Sequence, residues 1–209
     1  MKCKSRYFIL LSLLSNAVFS QDTITIYYDL KWNEIKDITE AAYYRKAYSD
    51  NQKEWVVHDY YINDTTQMTG FYKSMKLKIR QGFFTYYYEN GKKASEGMYA
   101  KDKKSGEWNY WSAEGVLKNT ERFANGFIIS ATGYYENGQR RYSGEYTYGK
   151  RQGEWTYWNP EGRITFQGNF NNGLKQGEWI RYFSDGNMKL NYNNGVIEGK
   201  EPGGIVRLN

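Results

Sequence analysis

The chain has 209 residues, enough for one domain or a short repeat array, and a formal net charge of +6. Without the predicted leader described next, 26 basic and 23 acidic residues leave a net charge of +3, which is too small to indicate nucleic-acid binding. The mean hydropathy is −0.86 although 19% of the residues are aromatic, which favours sheets with partly solvated faces over a deep aliphatic core.

The first twenty residues are typical of a cleaved secretory signal peptide. Three basic residues precede the apolar run YFILLSLLSNAVF, and AVFS then places Val18 and Ser20 at the positions that a signal peptidase recognises. A short membrane anchor is the alternative, but a run of about 13 residues is well below the roughly 20 that span a bilayer. We therefore expect residues 1–20 to be removed and the mature chain to begin at Gln21.

Export has consequences for composition and location. Cleavage removes the single cysteine, Cys3, and leaves 26 basic against 23 acidic residues. A chain without cysteine needs no disulfide and has no thiol to oxidise in an oxidising compartment. We expect a periplasmic, outer-membrane-associated or extracellular location.

Residues 21–54 are predicted to cap a repeat array. They hold one strand, TITIYY, and a short irregular or helical piece around Trp32, and residues 41–61 form a further hairpin. The array itself is predicted over residues 55–199, with a tail at 200–209. Terminal units of arrays are atypical because they must cover the last repeat.

Within the array, glycines recur at intervals of 24, 23, 24 and 24 residues, each after an acidic or amide residue. A fixed period of this kind indicates a repeat architecture. Each unit contains an aromatic strand such as GEWNYW or GEWTYW, a turn, and a second strand, so each is predicted to be one β-hairpin. The predicted turn glycines are Gly91, Gly115, Gly138, Gly162 and Gly186.

The segment NPEG specifies the turn type. Pro160 suits the second position of a type I turn, and Gly162 then takes the left-handed position that follows. Segments such as YGKRQG are predicted to be longer polar loops that lead to the next hairpin. Gly153 and its equivalents are predicted to open the strands that follow these loops.

Alternation separates two faces on each second strand. In one unit the apolar face carries Ile164, Phe166, Gly168 and Phe170. The polar face carries Arg163, Thr165, Gln167 and Asn169. On the first strands Trp108 and Trp155 are predicted to share the apolar face, where a glycine six residues after each turn leaves room for an indole.

An aromatic ridge is predicted on the polar face. Its candidate binding residues are Trp111, Tyr134, Trp158 and Tyr182. The alternative is that these side chains only pack on their neighbours. If the faces are inverted, the binding surface is instead formed by Trp108, Tyr110, Trp155, Tyr157 and Trp179.

The residues G-E-W-x-Y-W, followed by x-x-G, G-x-Y and G-K-x-x-G, resemble the MORN-repeat variant found in many bacterial proteins. The resemblance covers roughly residues 55–200; Ile129 and Ala131 replace Gly and Trp in the middle unit, and Glu121 and Tyr192 replace the second glycine. It implies an elongated sheet of hairpins, no enzymatic activity, and a role as a protein-binding, dimerising or membrane-associated scaffold. Some bacterial members are labelled antitoxins of toxin–antitoxin pairs, a label that suits a cytoplasmic protein rather than an exported one.

Catalytic and metal-binding patterns are absent from the sequence. His58 is the only histidine, which argues against His-based metal clusters and a Ser-His-Asp triad. Glu107, Glu154 and Glu178 occupy one slot of the repeat and are better explained as cross-strand charge partners than as glycosidase carboxylates. We expect no catalytic residue, no metal and no cofactor.

The all-β fold class predicted is therefore an elongated, single-layer antiparallel meander of β-hairpins of about 24 residues. Such a sheet cannot bury its own apolar side without curling or gaining a cover, which implies a protein partner or self-association through a sheet face. The leading hypothesis is an exported, non-catalytic scaffold of the cell envelope. The alternatives are a receptor for a glycan or lipid headgroup, with the Lys101–Lys104 loop meeting anionic headgroups, and an antitoxin.

Overall fold

A single antiparallel sheet of sixteen strands accounts for almost all of the described residues, which in this computed structural model are 22–49, 54–74 and 76–198. The strands follow one another across the sheet in chain order, except that β1 lies between β3 and β2. This arrangement confirms the predicted meander of hairpins. The predicted leader at 1–20 and tail at 200–209 lie outside the described residues.

Most strands have six to ten residues, and β2 and β16 have two. In chain order they are β1 Asp22–Tyr28, β2 Glu34–Ile35, β3 Tyr43–Ser49, β4 Trp55–Tyr61, β5 Thr66–Tyr72, β6 Gly82–Tyr87, β7 Lys93–Ala100, β8 Lys103–Trp111, β9 Leu117–Ala124, β10 Phe127–Tyr134, β11 Arg140–Thr147, β12 Lys150–Trp158, β13 Ile164–Asn171, β14 Leu174–Phe183, β15 Gly186–Asn193 and β16 Val196–Ile197. The one helical element in the described residues is a 3-10 turn at Ile38–Glu40.

The turns within hairpins have the geometry argued from NPEG in all units but the last. The Gly162 N–H donates to the Asn159 carbonyl oxygen at 2.9 Å, and Gly162 has φ +79°, where a side chain would be penalised. Asp64 fills the glycine slot of the degraded first unit with φ +66°. Gly186 does not form such a turn, because it lies in β15 opposite Phe183 and the loop has only two residues.

The predicted long loops between hairpins are wrong. β11 and β12 are joined by Tyr148 and Gly149 alone, and both have positive φ, as a two-residue type I′ turn requires. Strand β12 therefore begins at Lys150, and Gly153 does not open it. Gly153, with φ +65°, lies at a β-bulge where the pairing with β11 shifts.

The two faces of the sheet differ as the alternation predicted. We call the face that carries Trp108, Trp155 and Trp179 the indole face, and the other the opposite face. These three tryptophans are at most 2% exposed. Phe170 on the same face is also buried. The prediction for Ile164 is wrong: the register of β12 and β13 shifts beside the turn, so Ile164 pairs with Trp158 of the opposite face and is 39% exposed.

Each of these three indoles lies on a glycine of the neighbouring strand. Gly168 pairs with Trp179, and a Cβ added to Gly168 would lie less than 3.0 Å from indole atoms. The Trp179 Nε1–H donates to the Asn169 backbone oxygen at 3.0 Å, at the point where the bulge shifts the register. Trp108 and Trp155 repeat both contacts on their own glycines. Glycine therefore provides the space, and the bulge provides a carbonyl acceptor.

The indole face is interrupted at the middle unit. One buried cluster extends from Ala47 to Trp108, and a second contains Trp155 and Trp179. Between them Glu121 pairs with Ala131, where regular units have glycine and tryptophan. The departures found in the sequence therefore divide the core into two parts.

Candidate binding surfaces

The predicted ridge residues lie on the opposite face, one every second strand, and each is half-buried. Lys93 Nζ lies 5.8 Å from the centroid of the Trp111 ring, and the Tyr182 hydroxyl is 3.4 Å from Gln167 Oε1. No ring-to-ring contact joins the four side chains in the part of the chain that the structure describes. They form separate aromatic positions along the face, not a stacked cluster.

Hydrogen bonds between successive turns explain the recurring Tyr-Glu-Asn segment. The Tyr88 hydroxyl donates to the Trp111 carbonyl at 2.7 Å, and Asn90 Nδ2 donates to the Ala113 carbonyl at 2.8 Å. Tyr135 makes the same bond to Trp158, and Asn137 makes it to Pro160. These residues, which recur in two units of the chain, therefore hold neighbouring hairpins together and place the ridge residues at a regular spacing.

An apolar stripe on the opposite face was missed by the sequence interpretation. Phe71, Phe83 and Met98, on β5, β6 and β7, are 43%, 46% and 44% exposed. Phe83 pairs directly with Met98, and Phe71 pairs with the half-buried Val56 of β4. The stripe was missed because it does not recur along the chain: Glu107 and Glu154 occupy the slot of Phe83 in other units. The alternation of Phe83 with Phe84 would have indicated it.

Basic residues stand beside this stripe. The connection between β5 and β6 contains Lys73, Lys76 and Lys78, all exposed, and also the exposed Ile79. The connection between β7 and β8 lies at the same end of the hairpins. There a cavity of about 380 Å³ is lined by Lys101, Lys103 and Lys104, together with Gln81, Ala100, Ser105 and Asn125. This end of the hairpins is therefore both apolar and positively charged.

A row of cations crosses the indole face. Arg80, Lys104, Arg151 and Lys175 each precede a glycine with positive φ by two residues. Their charged groups lie 4.0–4.6 Å from aromatic centroids: Arg80 from Tyr99, Lys104 from Trp108, Arg151 from Phe170, and Lys175 from Trp179. We call these four residues the cation row, and cation–π attraction accounts for their position over the rings.

The N-terminal strands hold a buried ion pair on the indole face. Arg45 Nε and Nη2 donate to the two carboxylate oxygens of Asp59 at 2.6 and 2.8 Å. On the opposite face the half-buried His58 ring lies between the hydroxyls of Tyr48 and Tyr60, at 3.2 and 3.3 Å. The Arg45–Asp59 pair and His58 thus have hydrogen-bond partners within the sheet, which is consistent with a structural role.

The acidic residues of the repeat slot are exposed, and Glu178 pairs with Lys189 across strands at 2.8 Å, as the charge-partner interpretation predicted. No group of three His, Cys, Asp or Glu side chains that could hold a metal ion occurs in the described residues. Within the same residues, no helix is long and apolar enough to cross a membrane.

Comparison with known families supports the repeat assignment at two places. The family described as MORN repeat variant matches residues 80–101 and 151–172, and each match begins at a residue of the cation row. Repeats of this family generally mediate protein or membrane interactions and are typically non-catalytic. A comparison of the chain with curated proteins found no match.

Proposed function

We propose that the protein is an exported, non-catalytic binding module of the cell envelope that holds a protein partner on the opposite face of its sheet. The apolar stripe carries this proposal. Contiguous exposed apolar side chains on a folded protein usually mark an interaction site. Phe71, Phe83 and Met98 are each more than 40% exposed and lie on three successive strands.

The ridge extends the proposed surface. Trp111, Tyr134, Trp158 and Tyr182 lie on the same face, and Trp and Tyr are enriched among the residues that dominate binding energy at protein interfaces. A partner that covers the stripe and extends across the hairpins meets these rings at intervals of two strands. Because the sheet already fixes the backbone that carries these rings, binding requires little further loss of conformational entropy.

An anionic lipid surface is the second candidate. The observation that favours it is the position of Lys73, Lys76 and Lys78 beside the stripe, with Ile79 exposed among them. Apolar side chains that enter the interface, together with lysines that meet anionic headgroups, are the two components of peripheral membrane binding.

Site-specific photo-cross-linking tests the proposal. A photoreactive phenylalanine analogue at Phe83 in the full chain, irradiated in intact cells, is expected to give an adduct with a protein partner. The matched control places the same group at Tyr148, which is 90% exposed at the tip of a turn. A lipid adduct at position 83 selects the membrane candidate, and an adduct of twice the chain mass indicates self-association. Equal labelling at both positions contradicts a specific site on the stripe.

The export component has its own test. N-terminal mass spectrometry of the protein from its own cells is expected to show a mature chain that begins at Gln21. Intact Met1 on a soluble cytoplasmic protein contradicts export and returns the antitoxin hypothesis to consideration.

A further inference from the structure

One member of the cation row, Arg80, already binds a carboxylate that comes from within the chain. Arg80 Nε donates to the Asp102 carboxylate at 2.6 Å, and Arg80 Nη1 donates to the Tyr99 hydroxyl at 2.8 Å. Asp102 lies in the two-residue turn of the next hairpin, with φ +67°. The first cation of the row is therefore neutralised by a carboxylate that reaches it from the neighbouring unit.

The other units have glycine at the position of Asp102. The Asp102 N–H donates to the Arg80 carbonyl at 2.9 Å. Gly126, Gly173 and Gly195 donate the same backbone bond to Lys104, Arg151 and Lys175, at 3.0, 2.9 and 2.8 Å. These bonds align the units residue for residue, so three cations of the row occupy the position of Arg80 without the carboxylate that accompanies it.

Of these three cations, Arg151 and Lys175 most clearly lack a carboxylate partner in the described parts of the chain. No ion pair joins either of them to a carboxylate within the described residues. Lys104 differs, because the carboxylate of Glu121 acts on it electrostatically. Burial lowers the pKa of the Lys175 ammonium, and the nearby Arg151 and Arg181 lower it further. The fold thus holds like charges together on a half-buried surface, which an anion from outside would stabilise.

We propose that the indole face binds an acidic protein segment whose carboxylates occupy, at Arg151 and Lys175, the position that Asp102 takes at Arg80. Arg151 on β12 and Lys175 on β14 are two strands apart, a separation of about 9.5 Å. A polyproline II segment repeats every three residues, or about 9.3 Å, so acidic residues at every third position match this spacing. The site lies on the other face from the proposed partner surface and would make the protein a two-sided adaptor.

A designed peptide tests this directly. Fluorescence anisotropy of labelled (Glu-Pro-Pro)₄ with the full mature chain is expected to show binding that (Gln-Pro-Pro)₄ does not. Arg151→Gln and Lys175→Gln should each weaken it by about tenfold or more, the value of a charge-assisted hydrogen bond. Lys189→Gln is the matched control, because it removes one lysine charge from the opposite face.

A second pair of variants uses the Arg80–Asp102 contact as its template. Gly173→Asp places a carboxylate where Asp102 stands, and the left-handed backbone of Gly173 is one that Asp102 already adopts in its own unit. This variant should fill the Arg151 position from within and reduce peptide binding by about tenfold. Gly173→Asn has nearly the same shape and no charge, so it should bind the peptide as the native chain does. Thermal unfolding of both variants controls for the fold.

Several outcomes would overturn the proposal. They are equal binding of the glutamate and glutamine peptides, unchanged binding by Arg151→Gln and Lys175→Gln, and equal binding by Gly173→Asp and Gly173→Asn. Binding of inorganic phosphate or of vesicles of anionic phospholipid that depends on Arg151 and Lys175, without binding of the glutamate peptide, would assign the row to a phosphate ligand instead. None of these results affects the cross-linking at Phe83, so the two proposals fail independently.

Discussion

The two ends of the sheet treat a cation on the indole face differently. Near the N-terminus Arg45 is held by both oxygens of Asp59, and Arg80 is held by Asp102. Near the C-terminus Arg151 and Lys175 lie over aromatic rings with no carboxylate bonded to them in the described residues. The N-terminal cations are therefore neutralised by carboxylates of the chain, whereas among the described residues these two C-terminal cations contact only aromatic rings and other neutral groups.

This difference separates structural charges from charges available for binding. A buried charge that loses its partner is strongly destabilising, because the remaining charge stays desolvated. A half-buried charge that lies over a ring without a carboxylate has no ion pair to lose, so we expect its removal to cost less. Stability measurements on single variants can therefore test which role each cation has.

The largest effect is expected at the buried pair. Asp59→Asn leaves Arg45 with 11% of its side chain exposed and no anion, and we expect a loss of about 3–5 kcal/mol in the free energy of unfolding, measured with urea. The double variant Arg45→Met/Asp59→Leu should recover most of that loss, since neither charge remains. A loss below about 1 kcal/mol for Asp59→Asn, as for an exposed pair, would show that the Arg45–Asp59 pair does not stabilise the N-terminal end of the sheet.

The glycines beneath rings are the feature that both ends share. Gly70→Ala under Phe84 and Gly168→Ala under Trp179 each place a methyl group less than 3.0 Å from ring atoms. We expect both to cost about 1–3 kcal/mol by overpacking, measured by urea unfolding. Asn169→Ala is the control, because its exposed side chain points away from the indole. If only one of the two glycine variants is destabilised, the ends differ in packing as well as in charge.

Period and alternation predicted the architecture, the two faces and the indole over glycine, because each is a short-range property of the repeat. The strand boundaries were wrong because a left-handed glycine such as Gly153 marks a bulge as readily as a loop. The Arg80–Asp102 pair lies 22 residues apart along the chain and depends on the register between units, which the sequence alone does not define. The apolar stripe was missed because it does not recur in the other units, so the period gave no signal for it.

A smaller effect is expected at Arg80 and Asp102, whose side chains are 31% and 46% exposed. A double-mutant cycle with Arg80→Gln and Asp102→Asn should give a coupling of about 0.2–1 kcal/mol. The hydrogen bond from Arg80 lowers the pKa of Asp102 below 3.8. The coupling is therefore fully present well above the ordinary pKa of an aspartate and disappears as the pH falls through the lower folded-state pKa. A coupling that persists in strong acid would show that charge does not hold this pair.

The smallest effect on stability is expected at Lys175, and it decides whether the two ends differ as described. Lys175→Met removes a cation–π contact of roughly 0.5–1 kcal/mol, but it also removes the desolvation of the ammonium and its repulsion by Arg151 and Arg181. Because the folded-state pKa of Lys175 lies below 10.5, the fold disfavours the charged form, and losing that charge is a gain. The two effects offset each other, so the free energy of unfolding should change by no more than about 0.5 kcal/mol in urea. A loss as large as that of Asp59→Asn would make Lys175 a structural cation, and the C-terminal row would then be part of the core and not a surface for an acidic partner.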